Sequence, residues 1–128
     1  MQIVMKKDIP VNALPGRGVR QAVGKGAPSE SQRMTLGWTR YSAEYGPMEP
    51  HHHAEETIIV TAAKDAYMRF GPEKDQLGER IPLVPDMAVH FPPLEWHVFE
   101  YDEGGFLEIM YFYGQVDNIR PEEMEQNQ

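Results

Sequence analysis

The chain has 128 residues, a length that one compact domain with a single core fills without covalent staples. Twenty acidic residues against 12 basic ones give a net charge of −8, which repels phosphate backbones and anionic membrane surfaces and argues against nucleic acid as a partner. Cysteine is absent, so disulfides and thiolate metal sites are excluded and any metal must be held by nitrogen and oxygen donors.

Hydrophobic residues make up 41% of the chain. They are spread through its middle, with no apolar run of about 18 residues or more that could span a membrane. Met1 to Asp8 lack the apolar stretch and cleavage site of a secretory signal. A soluble, cytoplasmic protein is expected.

In chain order, Gln2–Met5 reads as a first short strand, followed by the least regular part of the chain, 12–31. This part contains Pro15-Gly16-Arg17-Gly18 and Gly24-Lys25-Gly26-Ala27-Pro28-Ser29, with a strand placed at Gly18–Val23. Two readings are open for it: an arm lying on a second subunit, or a mobile surface loop. Arg33–Ser42 sets Met34, Leu36 and Trp38 against Thr35, Gly37 and Thr39, the period-two alternation of a strand with one buried face. Further strands are expected at Glu56–Ala62, Ala66–Phe70, Arg80–Val84, Met87–Phe91, His97–Tyr101 and Phe106–Tyr113. Turns are expected at Gly71-Pro72-Glu73-Lys74-Asp75 and at Tyr101-Asp102-Glu103-Gly104-Gly105. The run from Phe106 to Tyr113 is apolar on both faces except at Glu108, which suggests a central strand packed on both sides. Beyond it, Glu122, Glu123 and Glu125 lie in a polar stretch that reads as a solvated tail. The expected organisation is one domain, with an N-terminal arm and edge strands at 1–32, a barrel at 33–116 and an acidic tail at 117–128.

Three of the five histidines are consecutive, at His51, His52 and His53, and are followed by Glu55 and Glu56. Neutral imidazoles and carboxylates are what a divalent first-row ion binds when no thiolate is present. In extended chain His51 and His53 point to one side and His52 to the other. Downstream, Asp86-Met-Ala-Val-His-Phe-Pro-Pro-Leu-Glu-Trp-His97 leads from a strand through a Pro-Pro turn to a further histidine.

Together these two segments resemble the motifs of the cupin superfamily, β-barrels whose first motif supplies His-x-His and a Glu and whose second supplies a His after a Pro-x-Gly turn. The resemblance covers Gly46 to Tyr101, a little under half of the chain. It implies an all-β, cupin-type double-stranded β-helix, a jelly-roll barrel, holding one divalent metal ion (Fe, Mn, Zn or Ni) on His51, His53, Glu56 and His97. The match departs from the family pattern in several places. Ala63 stands where the family has Gly, Pro92-Pro93-Leu94 replaces Pro-x-Gly, and Tyr101 replaces an Asn. Only Ala54 and Glu55 separate His53 from Glu56, where the family leaves three or four residues. By spacing alone, the second histidine could equally be His52 or His51, with Pro50 or Glu49 in the place of the first; a shortened loop gives His51 and His53.

His90 reads as a structural strand histidine. Trp96, Tyr111 and Tyr113 are candidates for the barrel mouth, with strand core as their default place. Glu108 and Tyr111 are candidate acids or bases beside the metal, but they lie on opposite strand faces, so only one can point inward. The resemblance implies an enzyme acting on a small oxygen-bearing organic molecule, such as a sugar acid, hydroxy acid or phenol, by oxygenase, isomerase or lyase chemistry. The alternative is a non-catalytic small-ligand-binding or sensing module. A homodimer is expected, because small cupins commonly pair and the N-terminal arm has few evident partners.

Overall fold

The computed structural model describes residues 1–126, with side chains through residue 123. Eight strands carry the fold: β1 (Asn12–Leu14), β2 (Arg17–Gly24), β3 (Ser29–Glu30), β4 (Thr35–Tyr41), β5 (Glu56–Gly71), β6 (Ile81–Pro82), β7 (Ala88–Phe91) and β8 (Trp96–Tyr113). A short helix, α1 (Pro121–Gln126), follows. The strands form one sheet in the order β1-β2-β4-β8-β5-β6, with β3 beside β2 and β7 beside β5. All pairings are antiparallel except the short β2–β3 contact. The sheet is not closed on itself, and it curls in the manner of a jelly roll.

Two long strands make the curl. The β5 and β8 strands pair from Thr57↔Phe112 to Gly71↔Trp96, with bulges at Val60/Ala62 and Lys64/Ala66. At the second bulge Asp65 (φ 47°) and Gly104 (φ 80°) take left-handed backbone, which bends both strands together. The residues from Tyr101 to Gly105 are therefore a bend inside one continuous strand and not the expected hairpin turn. The expected pairs Glu56–Ala62 with Ala66–Phe70, and His97–Tyr101 with Phe106–Tyr113, fuse for the same reason. Their turn-forming residues are used to re-aim strands that the β5–β8 ladder keeps paired.

Other expectations are corrected at the chain ends. Gln2–Met5 forms no strand, and Lys6–Asp8 is a 3₁₀ turn. Within 12–31 the strand expected at Gly18–Val23 is present as β2, and β1 pairs with it as a hairpin on the chain's own sheet (Asn12↔Val19 to Leu14↔Arg17), so the segment is not a free arm and its turns are confined to 15–16 and 25–28. The tail is docked as far as its side chains are described: Ile119 is buried and its carbonyl accepts from Ala54 N at 3.4 Å. Glu122 pairs with Arg17 and the Glu123 carboxylate accepts from Ile119 N at 2.9 Å; the side chain of Glu125 lies outside the described residues.

In β4 the alternation holds, but the small and hydroxyl-bearing set faces in. Thr35, Gly37, Thr39 and Tyr41 are buried, while Leu36 and Trp38 are half-buried on the outer face. The reason is close packing: a Cβ at Gly37 would stand 2.7 Å from the Tyr111 hydroxyl and 2.5 Å from Arg20 O. In β8 the inward set is Leu107, Ile109, Tyr111 and Tyr113. The strand is central, between β4 and β5, but it is covered on one face only, because Phe112 is 41% exposed.

Ile58, Val60, Phe91, Leu107 and Ile109 are almost fully buried and fill the core below the histidines. Cavity formation there is costly, so Leu107→Ala is expected to destabilise the protein by about 2–5 kcal/mol in urea unfolding, with the m-value unchanged.

Candidate metal centre

A pair of backbone hydrogen bonds brings the two histidine segments together. His51 N donates to His97 O at 3.0 Å, and His97 N donates to His51 O at 2.9 Å. This bridge lays the irregular segment before β5 along the start of β8. A third bond, Leu94 N to His53 O at 2.9 Å, fastens the other end of the run. Leu94 makes it from left-handed backbone (φ 64°), at the place where the Pro-x-Gly pattern has its glycine. Left-handed backbone costs a leucine about 1–2 kcal/mol. The turn thus keeps its shape without the residue suited to it.

With the backbone so fixed, His51 and His53 turn to one side, and His52 turns away onto Trp96 with ring centroids 4.3 Å apart. His97 meets the other two at centroid distances of 4.5 Å (His51) and 4.7 Å (His53), and it stacks on Phe91 at 4.1 Å. Each ring is oriented by a backbone carbonyl at Nδ1: Glu49 O at 3.0 Å for His51, Ala54 O at 2.7 Å for His53 and Glu95 O at 3.0 Å for His97. A carbonyl only accepts, so each Nδ1 carries the proton and each Nε2 presents a lone pair. One potential ligand atom from each ring lies within 4.8 Å of the others. His97 Nε2 is buried with no hydrogen-bond partner among the described residues. These three histidines form a group that could hold a metal ion.

The donor set fits a divalent ion. Ring nitrogens of three histidines lie within 4.8 Å of one another, and a buried nitrogen that lacks a partner costs free energy unless something occupies it. Glu56, buried, stands beside the group with Oε1 3.3 Å from His53 Nε2. The Tyr113 phenol lies near this carboxylate. Burial first, then the Glu56 charge, pushes the Tyr113 phenol up.

Of the two acid or base candidates, Tyr111 lines the cavity beside the histidines, and burial pushes its phenol up to about 12. Glu108 lies on the outer face, where it accepts from Arg40 at 2.9 Å, so it cannot stand beside an ion held by the histidines. His90 is also outside, on Glu55 at 2.7 Å. Trp96 packs against His52 and not at the mouth. The cavity encloses about 30 Å³, room for about one water. Its lining includes two residues that the sequence did not single out: Arg17, from the segment read as irregular, and Arg120, from the tail. No local pattern marks either, since both reach the cavity only through the topology.

No family model matches the sequence, and no curated protein matches it. Solved structures do match. A protein from Planctomyces limnophilus superposes with a TM-score of 0.67 at 18% identity, over 91% of each chain. The polyketide cyclase RemF from Streptomyces resistomycificus gives 0.65 at 21% identity, over 88% of this chain and 78% of its own. Bacillus subtilis oxalate decarboxylase, described with Mn(II) centres, gives 0.62 at 17% identity, over 86% of this chain and 28% of its own. The fold is the cupin fold. In that cupin frame the convergent histidines come from the segment before β5 and from the start of β8, as the two motifs imply.

Burial, and then the neighbouring His53, pushes His51 down to about 4. Burial, then His51 and His53, pushes His97 well below the ordinary imidazole range. The folded metal-free protein therefore binds fewer protons than the unfolded chain between about pH 6.5, the ordinary imidazole value, and pH 4. Its stability is expected to be fully present above about pH 6.5 and to fall with pH through that window. Thermal midpoints of chelator-treated protein from pH 7.5 to 4 check this, and variants with His51 and His97 both replaced by Gln should show a shallower fall.

Proposed function

We propose that this protein is a metal-dependent enzyme acting on a small oxygen-bearing organic molecule, with one divalent ion held by His51, His53, His97 and Glu56. The observation that supports it most is the set of three Nδ1-to-carbonyl hydrogen bonds, which leave three Nε2 lone pairs converging, one of them buried and unpaired. One ring nitrogen from each histidine lies within 4.8 Å of the others, and His51 and His53 line a cavity at the same place.

When bound, the ion supplies Lewis acidity to a substrate oxygen. The chain's own residues do the rest. Glu56, next to His53, would add a carboxylate oxygen to the three imidazoles as a donor for that ion. Tyr111 holds its proton at neutral pH and presents a hydroxyl donor on the cavity wall. Phe91, Phe99 and the buried aliphatic core exclude water from below. His97→Ala and His51→Ala are expected to lower metal content by tenfold or more, because a multidentate site loses most of its affinity with one ligand. His52→Ala should keep it near the wild-type value. Metal content per chain after passage over a chelating column decides; full occupancy of His97→Ala would refute the site.

The expected homodimer is also part of the proposal, on a different footing from the N-terminal arm. Leu36, Trp38, Met110, Phe112 and Ile59 are brought together on the outer face by the pairings Leu36↔Phe112, Trp38↔Met110 and Ile59↔Met110. Ile59 and Phe112 are each 41% exposed there. A contiguous apolar sheet face of this kind is suited to a second copy of itself. Light scattering should give twice the chain mass of 14.7 kDa, falling to that mass in Phe112→Glu.

A further inference from the structure

Two arginines, Arg17 and Arg120, line the cavity together with Glu56, although the chain as a whole is acidic. Arg17 lies at the start of β2 with its side chain 12% exposed. Its guanidinium meets the Glu122 carboxylate in a two-pronged pair, Nη1 to Oε1 at 2.9 Å and Nη2 to Oε2 at 3.1 Å, and Nη1 also donates to Pro15 O at 3.0 Å. Arg120 lines the same cavity and donates through Nη2 to a neutral acceptor, Gln21 Oε1, at 2.9 Å. The Tyr111 hydroxyl reaches the same oxygen at 3.4 Å.

Beside Arg17 and Pro121 lies a surface groove of about 300 Å³, whose lining also includes His51, Glu122 and Lys74. Arg17, His51 and Pro121 line both spaces, so they form the partition between groove and inner cavity. The inner space of about 30 Å³ is too small for any organic substrate, whereas the groove is of small-molecule size. A molecule larger than a water that reaches the histidines from this groove must displace the partition, and the part of it held by a replaceable contact is the tail, through Glu122.

We propose that the molecule bound here is a small carboxylate whose anionic group takes the place of Glu122 on Arg17, with Arg120 as a second cation for it. The paired geometry already on Arg17 is the one a free carboxylate adopts on a guanidinium. Glu122 is then an internal competitor, which closes the mouth when no ligand is present and lowers the apparent affinity by the fraction of time it occupies Arg17. This deepens the proposed function by giving the substrate's chemical class, and it depends on that reading only for the metal's part.

The test is titration of the full chain, metal-free and Co(II)-loaded, with acetate, malonate and benzoate and with the corresponding amides, followed by calorimetry. At least one acid is expected to bind tenfold or more tightly than its amide. Glu122→Gln should tighten that acid by about tenfold by removing the competitor, and Arg17→Gln should weaken it by tenfold or more. Arg17→Gln/Glu122→Gln removes the pair without leaving an unmatched charge, so it guards against an unfolded single variant; it too should bind weakly. Arg120→Gln should weaken binding several-fold. The proposal is overturned if no acid exceeds its amide, or if Glu122→Gln binds no tighter than wild type while folded by circular dichroism. Acid binding with the Glu122→Gln gain in protein that takes up no Co(II) would sink the metal reading alone; Co(II) uptake without acid binding would sink this one alone.

Discussion

The site depends on two backbone hydrogen bonds between His51 and His97. Those residues are far apart in sequence, and nothing in their side chains brings them together. The bridge aligns an otherwise irregular segment with the first residue pair of a long strand, and from that alignment the ring directions follow: His51 and His53 inward, His52 onto Trp96. The three carbonyls at Nδ1 then select one tautomer, and the three Nε2 atoms point the same way. Each step is local geometry, but the first is set by the sheet.

The sheet is in turn a consequence of two strands of unusual length, 16 and 18 residues, kept paired through a shared bend. A flat ladder of that length would put its ends too far apart to wrap a cavity. Bulges and left-handed residues turn it instead, which is why turn-like composition at 101–105 lies within a strand. The inner wall then needs small side chains where it meets the tyrosines, hence Gly37 against Tyr111 and the threonines of β4 facing in.

Much of this was legible in the sequence, and what was legible is physically of one kind. Period-two alternation, punctuation by Gly and Pro, and adjacent histidines report local chemistry, and they indicated an all-β jelly roll and the two histidine segments. Which face of β4 turns inward was not legible, because the inner face packs glycine and threonine closely against the tyrosines and the neighbouring strand, so hydrophobicity points the wrong way there. The continuity of β8 was not legible because a bend and a hairpin use the same residues. Arg17 and Arg120 were invisible for another reason: each is unremarkable among its neighbours, and only the folded chain carries both to the cavity. Glu108 was misplaced by chemistry alone, since a lone acid in an apolar strand looks functional until its partner Arg40 is seen across the β4–β8 pair.

The contact between Arg17 and Glu122 joins positions 105 residues apart. It ties the segment over the cavity to the start of β2, next to the edge hairpin of the sheet. Whatever loosens that hairpin therefore also loosens the tail, so access to the cavity follows the local stability of the sheet's edge and not that of the long β5–β8 ladder at its centre.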